Sequence, residues 1–425
     1  MSRALIAGAI LGAGLVSGGL LIQSGALREA GASTASARLL DQVMARLSSD
    51  YVDTISTDDM YRRAASGFTK ELDDPYSVLL SPDRYRRLRE TTSGKYPGVG
   101  VELDMRDGFV TVIAPLAGTP ADSAGIKPGD HIIAVNDKPT HGLTMEEVQA
   151  ALAGPAGTKV KLSIERDDEH PVFALTRREI VFHPVQRADL NGGVAYIELA
   201  TFSERAANEL RRAIDSLRAQ GARSLILDLR ENPGGLLEQG IEVADLFLNR
   251  GQSIASTRGR MPESNQEFGD QKAEVWPDMP IVVLVDSGSA SAAEIVAGAL
   301  QDNRRAVLVG TPTYGKGSAQ SIFPVADGYA LKLTTARWFT PSGRSIERDS
   351  TAGGISPDVT VLRADTTTVT MDKGSSPTST TAPARRSAPS ALAPPIAIDP
   401  VIAKAMELLG GVVTPEELRA RVPKR

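Results

Sequence analysis

Ile281-Val282-Val283-Leu284-Val285 is a short apolar, β-branched run; Asp286-Ser287-Gly288-Ser289-Ala290-Ser291 follows it, and then Ala292-Ala293-Glu294-Ile295-Val296-Ala297-Gly298-Ala299-Leu300. The first segment reads as a buried strand, the small residues as a turn, and the alanine-rich third segment as a helix. That order places Ser291 at a helix N-terminus, where backbone N–H groups without intrahelical partners favour a developing oxyanion. The Ala292 N–H is the natural donor. Upstream, the stretch from Ser203 to Gln220 carries Ala207, Leu210, Ile214 and Leu217 on one helical stripe and ends at Gly221. It leads into a second buried strand, Leu225-Ile226-Leu227-Asp228-Leu229, and a helix from Leu236 to Leu248. Alternating strands and helices from Ile180 to about Arg348 predict an α/β domain with its active groups at strand ends.

A serine hydroxyl needs a proton acceptor before it attacks a carbonyl, and the usual acceptor is histidine. The four histidines, His131, His141, His170 and His183, all lie upstream of the Ser291 segment, and none sits in a stretch that reads as catalytic. Lys316, in Thr313-Tyr314-Gly315-Lys316-Gly317-Ser318-Ala319-Gln320, follows the buried strand Ala306-Val307-Leu308-Val309. An ordinary lysine pKa of about 10.4 leaves under ~0.1 % neutral amine at pH 7, so a lysine base requires burial to depress it. Gln320, four residues on, shares a face with Lys316 if the segment is a helical turn, and its amide then orients the amine; an extended segment removes that contact. Asn232-Pro233-Gly234-Gly235 offers a second oxyanion donor, because glycine lets a backbone N–H approach a ligand closely. Each motif alone is also the sequence of an ordinary N-cap, surface turn or loop; three of them at strand ends in one region argue for a site.

These segments, with Arg230-Glu231-Asn232-Pro233-Gly234-Gly235, Tyr314-Gly315-Lys316-Gly317 and Gly354-Ile355-Ser356-Pro357-Asp358-Val359, closely resemble the C-terminal processing peptidases, or tail-specific proteases, from roughly Leu39 to Val361. The resemblance implies a crotonase-like α/β core with Ser291 as nucleophile, Lys316 as general base and Gln320 as its orienting partner. Ala292 and either Gly234 or Gly235 would be the oxyanion donors. Ala293 stands where many members carry another serine. No metal or organic cofactor is implied.

Between Ser93 and Glu179, short β-branched runs such as Phe109-Val110-Thr111-Val112-Ile113 and His131-Ile132-Ile133-Ala134-Val135 alternate with Gly and Pro turns, and Thr144 to Ala153 reads as a helix. The pattern is similar to a PDZ domain, permuted as in bacterial proteases. Tyr96-Pro97-Gly98-Val99-Gly100-Val101 would then be its carboxylate-binding loop, with Gly98, Val99 and Gly100 forming a nest of N–H groups beside a strand edge that a peptide tail can extend. Arg166, at the end of the Lys161-Leu162-Ser163-Ile164 strand, reads first as a solvated charge and second as a link between peptide binding and the active site.

Length and composition agree with several domains. The chain has 425 residues, is 41% hydrophobic, and carries a net charge of −5, which disfavours nucleic acid as a partner. It has no cysteine, which excludes disulfides, thiolate metal sites and cysteine catalysis. Arg3 precedes an uncharged apolar stretch, residues 4–22, whose length suits an uncleaved signal anchor better than a cleaved signal; a buried soluble helix is the third reading. The anchored chain would face outward into the cell envelope, its catalytic part in the periplasm or otherwise outside the cytoplasm.

The expected organisation is therefore a signal segment over 1–30, an N-terminal helical region over 31–92 able to pack or to support a homodimer, a PDZ domain over 93–180 and a protease core over 181–362. A Thr/Ser/Pro/Ala-rich disordered linker over 363–397 and a C-terminal helix over 398–425, interrupted near Gly410, follow. The expected partners are protein or peptide substrates with free C-termini, and the membrane. A non-catalytic PDZ scaffold and a crotonase-like thioester enzyme are the rival readings; the presence of both Ser291 and Lys316 speaks against the first, and the PDZ pattern against the second.

Overall fold

The computed structural model describes residues 37–106, 108–167, 169–270, 272–348, 353–362 and 399–422. The apolar stretch over 4–22 and the linker over 363–397 lie outside the described residues. Among the described residues no helix is long and apolar enough to cross a membrane.

The chain divides into two units, Met1–Asp74 and Pro75–Arg425. The first holds a helix over 37–50 and the helix Thr57–Lys70, which Ser56 caps by accepting the Asp59 N–H. The 31–92 stretch expected to be helical is not uniformly so. Val78–Leu80 is a strand paired antiparallel to Ala330–Phe339, because the run Val78-Leu79-Leu80 is apolar and its partner offers an open edge.

In the second unit, six strands form the central sheet in the order Val185–Asn191, Val194–Leu199, Ser224–Asp228, Ile281–Val285, Val307–Gly310, Val359–Thr360. The first pair is antiparallel and the others are parallel. Ser224–Asp228 and Ile281–Val285 are buried at every position, which is why Leu225-Ile226-Leu227 and Ile281–Val285 are continuous apolar runs rather than alternating ones. One face of this sheet is covered by the helices Ala206–Ala219, Leu237–Asp245 and Ala292–Asp302. The stripe Ala207, Leu210, Ile214 and Leu217 is buried as its spacing requires.

The other face is covered by the C-terminal segment. The C-terminal region expected as a helix broken near Gly410 is two short helices, Pro400–Leu409 and Pro415–Ala420. Val401, Ile402, Ala405, Leu408 and Leu418 pack on Tyr196, Ile226, Val282, Leu284, Val307 and Val309. Each fully buried aliphatic side chain there contributes about 1.5–3 kcal/mol.

The PDZ-like domain has its own core and a sheet in the order Val101–Arg106, Phe109–Pro115, His131–Val135, Lys159–Glu165, Val172–Thr176. Its helix Met145–Leu152 begins with a capping box between Thr144 and Glu147. The chain enters and leaves this domain through an antiparallel ribbon, Lys95–Gly98 against Arg178–Val181. Arg166 is not a solvated charge: its Nε and Nη2 grip Asp130 at 2.6 and 2.7 Å, and Nη2 also reaches the Gly125 carbonyl. The bidentate pair ties the strand end to the Gly-Ile-Lys-Pro-Gly turn.

Candidate active site

Ser291 sits at the end of the tight turn between the Ile281–Val285 strand and the Ala292–Asp302 helix, with φ 55° and ψ −115°. A non-glycine residue in that region costs on the order of 1–3 kcal/mol and persists only where its surroundings hold it. They do so from three sides. The Ser291 N–H donates to Glu294 Oε2 at 2.8 Å, Ala290 N–H donates to the Asn232 carbonyl at 2.9 Å, and the Ser289 carbonyl accepts the Tyr314 N–H at 3.0 Å. The turn is thereby stitched to the Asn-Pro-Gly-Gly loop on one side and to the lysine segment on the other.

Glu294 is fully buried and collects four donors. Oε1 accepts Thr313 Oγ1–H at 2.6 Å and the Gly315 N–H at 2.7 Å; Oε2 accepts the Ser291 N–H and, at 2.9 Å, the Lys316 N–H. The backbone nitrogens of Ser291 and Lys316 therefore lie within two hydrogen-bond lengths of each other. Burial pushes the Glu294 carboxyl up from its ordinary pKa, and the four donors oppose that shift. Thr313 Oγ1 in turn accepts the Ile355 N–H at 2.7 Å, so the Gly354-Ile355-Ser356-Pro357-Asp358-Val359 segment buttresses the same carboxylate. The Ser-x-x-Glu spacing of a capping box is the sequence signal that marks this residue.

The Lys316 side chain is half-buried, and its Nζ lies 4.9 Å from the centroid of the Tyr76 ring, a cation–π distance. Burial, followed by a hydrogen bond with Tyr314, pushes the Tyr76 phenol above its ordinary pKa. No motif in the sequence pointed to Tyr76. Gln320 lies in the strand Ser318–Pro324, not on a helical turn, because that segment pairs with Ala330–Phe339. The helical reason for its contact with Lys316 does not hold; its Nε2 donates to Ser318 Oγ at 3.0 Å and Thr334 Oγ1 at 3.3 Å.

The two glycines of the Asn-Pro-Gly-Gly loop have different surroundings. Gly234, at φ 94°, packs directly on the Ser291 turn: a Cβ there would lie 2.7 Å from the Ala290 oxygen, 2.8 Å from Ser291 Cβ and 2.9 Å from Ala292 N. Its N–H is taken by Asn232 Oδ1 at 2.9 Å, and its carbonyl accepts the Phe202 N–H. The N–H groups of Gly235 and Ala292 have no acceptor among the described residues.

In the PDZ-like domain, Gly98, Val99 and Gly100 form the turn between the entry ribbon and Val101–Arg106, which is the edge strand of its sheet. The Val99 carbonyl accepts the Ala121 N–H and the Gly100 carbonyl accepts the Leu116 N–H, both at 2.9 Å. The N–H groups of Val99 and Gly100 have no acceptor among the described residues. Gly100, at φ 78°, lies so close to Thr119 that an added Cβ would come within 2.4 Å of it.

The profile of peptidase family S41 matches residues 193–361, and a PDZ-domain profile matches residues 111–166. The chain is 37% identical over 324 residues to a carboxy-terminal-processing protease of Bartonella bacilliformis, an alignment covering 75% of this chain and 73% of that one. It is 43% identical over 298 residues to a carboxyl-terminal-processing protease of Synechocystis sp., covering 68% of each. A solved photosystem II D1 C-terminal processing protease is 28% identical, spans 76% of this chain and 92% of its own, and superposes with a TM-score of 0.45. An S41 core joined to a PDZ domain defines a serine peptidase with a built-in peptide-recognition domain. The chain belongs to the carboxy-terminal processing proteases of peptidase family S41.

Proposed function

We propose that catalysis runs through a serine–lysine dyad, with Ser291 as nucleophile and Lys316 as general base, acting on proteins whose free C-terminal tails are held by the PDZ domain. The observation that carries this is the Glu294 carboxylate, which fixes the backbones of Ser291 and Lys316 from a single oxygen. A structural N-cap needs no such link to a distant segment; a nucleophile and its base do, because their separation sets the rate of proton transfer.

Ser291 Oγ attacks the scissile carbonyl as its proton passes to Lys316 Nζ. The tetrahedral oxyanion is stabilised by the N–H groups of Ala292 and Gly235, each donor contributing about 10²- to 10³-fold. Gly235 is preferred to Gly234 because the Gly234 N–H is already engaged by Asn232. Collapse breaks the C–N bond, Lys316 returns the proton to the leaving amine, and the acyl-enzyme forms. Water then attacks the ester, giving its proton to Lys316, which passes it to the departing Ser291 oxygen. Gln320, held by Ser318 and Thr334, stands on the strand that follows Lys316, and its orienting role is part of this reading. The substrate's terminal carboxylate is received by the Gly98-Val99-Gly100 turn, and its backbone extends the Val101–Arg106 edge.

The substrates are placed in the cell envelope, with the apolar stretch over 4–22 as the membrane tether and the catalytic part outside the cytoplasm. Cleavage of an unstructured protein by the purified full chain tests the chemistry. Ser291→Ala and Lys316→Ala should each lose at least about 10³-fold in kcat. Cleavage by Ser291→Ala at the parent rate would assign the reaction to another nucleophile. Protease protection of the catalytic part in intact cells, with loss of protection on breaching the outer barrier, tests the location.

A further inference from the structure

We propose that Asp399 is a positioning residue for this active site: through Arg230 it holds the 231–235 loop in register with Ser291. The inference rests on the reading that this loop supplies an oxyanion donor.

Arg230 lies between the end of the Ser224–Asp228 strand and the loop, and its side chain is only 6% exposed. Its backbone N–H and its Nε donate to Asp228 Oδ1 at 3.0 and 2.9 Å, and its Nη2 donates to Asp228 Oδ2 at 2.6 Å. Asp228 Oδ2 also accepts the Tyr196 hydroxyl at 2.7 Å. Nη1 reaches past this pair to Asp399 Oδ2 at 2.8 Å. Asp399 arrives from the far end of the chain, and its other oxygen, Oδ1, caps the Pro400–Leu409 helix by accepting the N–H groups of Val401 and Ile402 at 2.9 and 3.3 Å.

Packing alone does not call for this arrangement. The helix already docks through Val401, Ile402, Ala405 and Leu408 on an apolar sheet face, and bringing a second carboxylate to a buried guanidinium costs desolvation that an apolar side chain would avoid. What the ion pair adds is orientation. The guanidinium held by Asp228 alone has a partner on its own strand; Asp399 supplies a fixed point on a separate element, so Arg230 can no longer turn about the Asp228 carboxylate. The next residue, Glu231, is at φ 56° and donates its N–H to Asp286 Oδ1 at 2.9 Å. Asn232 then accepts the N–H groups of Gly234 and Ala290. The loop is thus pinned at Arg230 behind and at Asn232 in front, and the Gly234 backbone between them and Ser291 has no slack.

The test uses the full chain and a peptide-cleavage assay. Asp399→Ser keeps a good N-cap but is too short to reach Arg230; Asp399→Asn keeps the cap and offers a neutral acceptor. Asp399→Ser should lower kcat about tenfold with KM unchanged within twofold and the unfolding temperature within a few degrees of the parent, and Asp399→Asn should fall between the two. A parent-like kcat in Asp399→Ser overturns the inference, as does a loss of kcat that merely follows a loss of folded protein. A Ser291→Ala arm separates the two levels of failure. If it cleaves like the parent, the active-site reading has failed and takes this inference with it; if it is inert while Asp399→Ser is unimpaired, only the positioning role falls.

Discussion

Glu294, one helical turn beyond Ser291, accepts the Ser291 N–H at 2.8 Å through the same oxygen that accepts the Lys316 N–H at 2.9 Å. A helix-capping side chain has here become the joint between the Ser291 turn and the Lys316 segment. Its four donors all require an acceptor, and only an ionised carboxylate presents acceptors on both oxygens. In Glu294→Gln the amide NH₂ faces two N–H or O–H donors. We expect a loss of at least about 2 kcal/mol in stability and a fall in kcat of about 10²-fold or more. Urea unfolding and single-turnover kinetics measure the two effects separately, and a Glu294→Gln variant with parental kcat would sever the link between this carboxylate and the chemistry.

Gly234→Ala tests the contact between the loop and the Ser291 turn. The added methyl would strike backbone atoms of Ala290 and Ala292 and the Ser291 Cβ at a φ that alanine adopts only under strain. The expected result is a folded protein destabilised by about 1–3 kcal/mol with kcat reduced by about 10²-fold. Labelling of Ser291 by a fluorophosphonate should slow in parallel; unchanged labelling would show that the turn tolerates the methyl.

Gly100→Ala tests the proposed carboxylate-binding turn alone. A Cβ at this position meets Thr119, so the turn must open and its N–H groups lose their convergence. KM for a substrate with a free C-terminal carboxylate should rise by about fivefold or more, whereas the same substrate with an amidated terminus should show no difference between variant and parent. Equal effects on both substrates would place the loop outside carboxylate recognition.

Asp270 gives a pH signature of stability. Its buried Oδ2 has no donor among the described residues, and its neighbour is the Asp245 carboxylate. Burial, then the proton-sharing contact with Asp245, pushes Asp270 up to about 6. Because the folded pKa lies above the unfolded value of about 3.9, the folded state binds the extra proton between these limits. The stability from this site is present below about pH 4 and lost as pH rises through about 6. Asp270→Asn donates to Asp245 at any pH, so the unfolding temperature of the variant minus that of the parent should grow from pH 4 to pH 7. A difference independent of pH would contradict the assignment.

The layered α/β core was readable from the sequence because its signals are local. Ile281–Val285 and Leu225-Ile226-Leu227 are uninterrupted apolar runs, and Leu210, Ile214 and Leu217 keep helical spacing, so burial pattern and element type coincide. The place of Ser291 at the start of a helix was readable because strand, turn and helix fall in sequence around it. What escaped was non-local. Gln320 follows Lys316 at a spacing that fits a helical turn, and only pairing with Ala330–Phe339 makes it a strand. Tyr76 and Asp399 come to their partners from far along the chain, and no periodicity encodes that. Glu294 had a local signature, yet an acidic residue in the first turn of a helix is ordinarily a surface feature.

The ribbon of Lys95–Gly98 against Arg178–Val181 brings the chain into the recognition domain and out of it on neighbouring strands. Excising everything beyond that ribbon and closing it with a tight hairpin would leave the hydrolytic core's own strands and helices in place. The PDZ domain and the peptidase core are thus carried by two cassettes joined at one ribbon, so each can be exchanged, lost or retuned by a single splice.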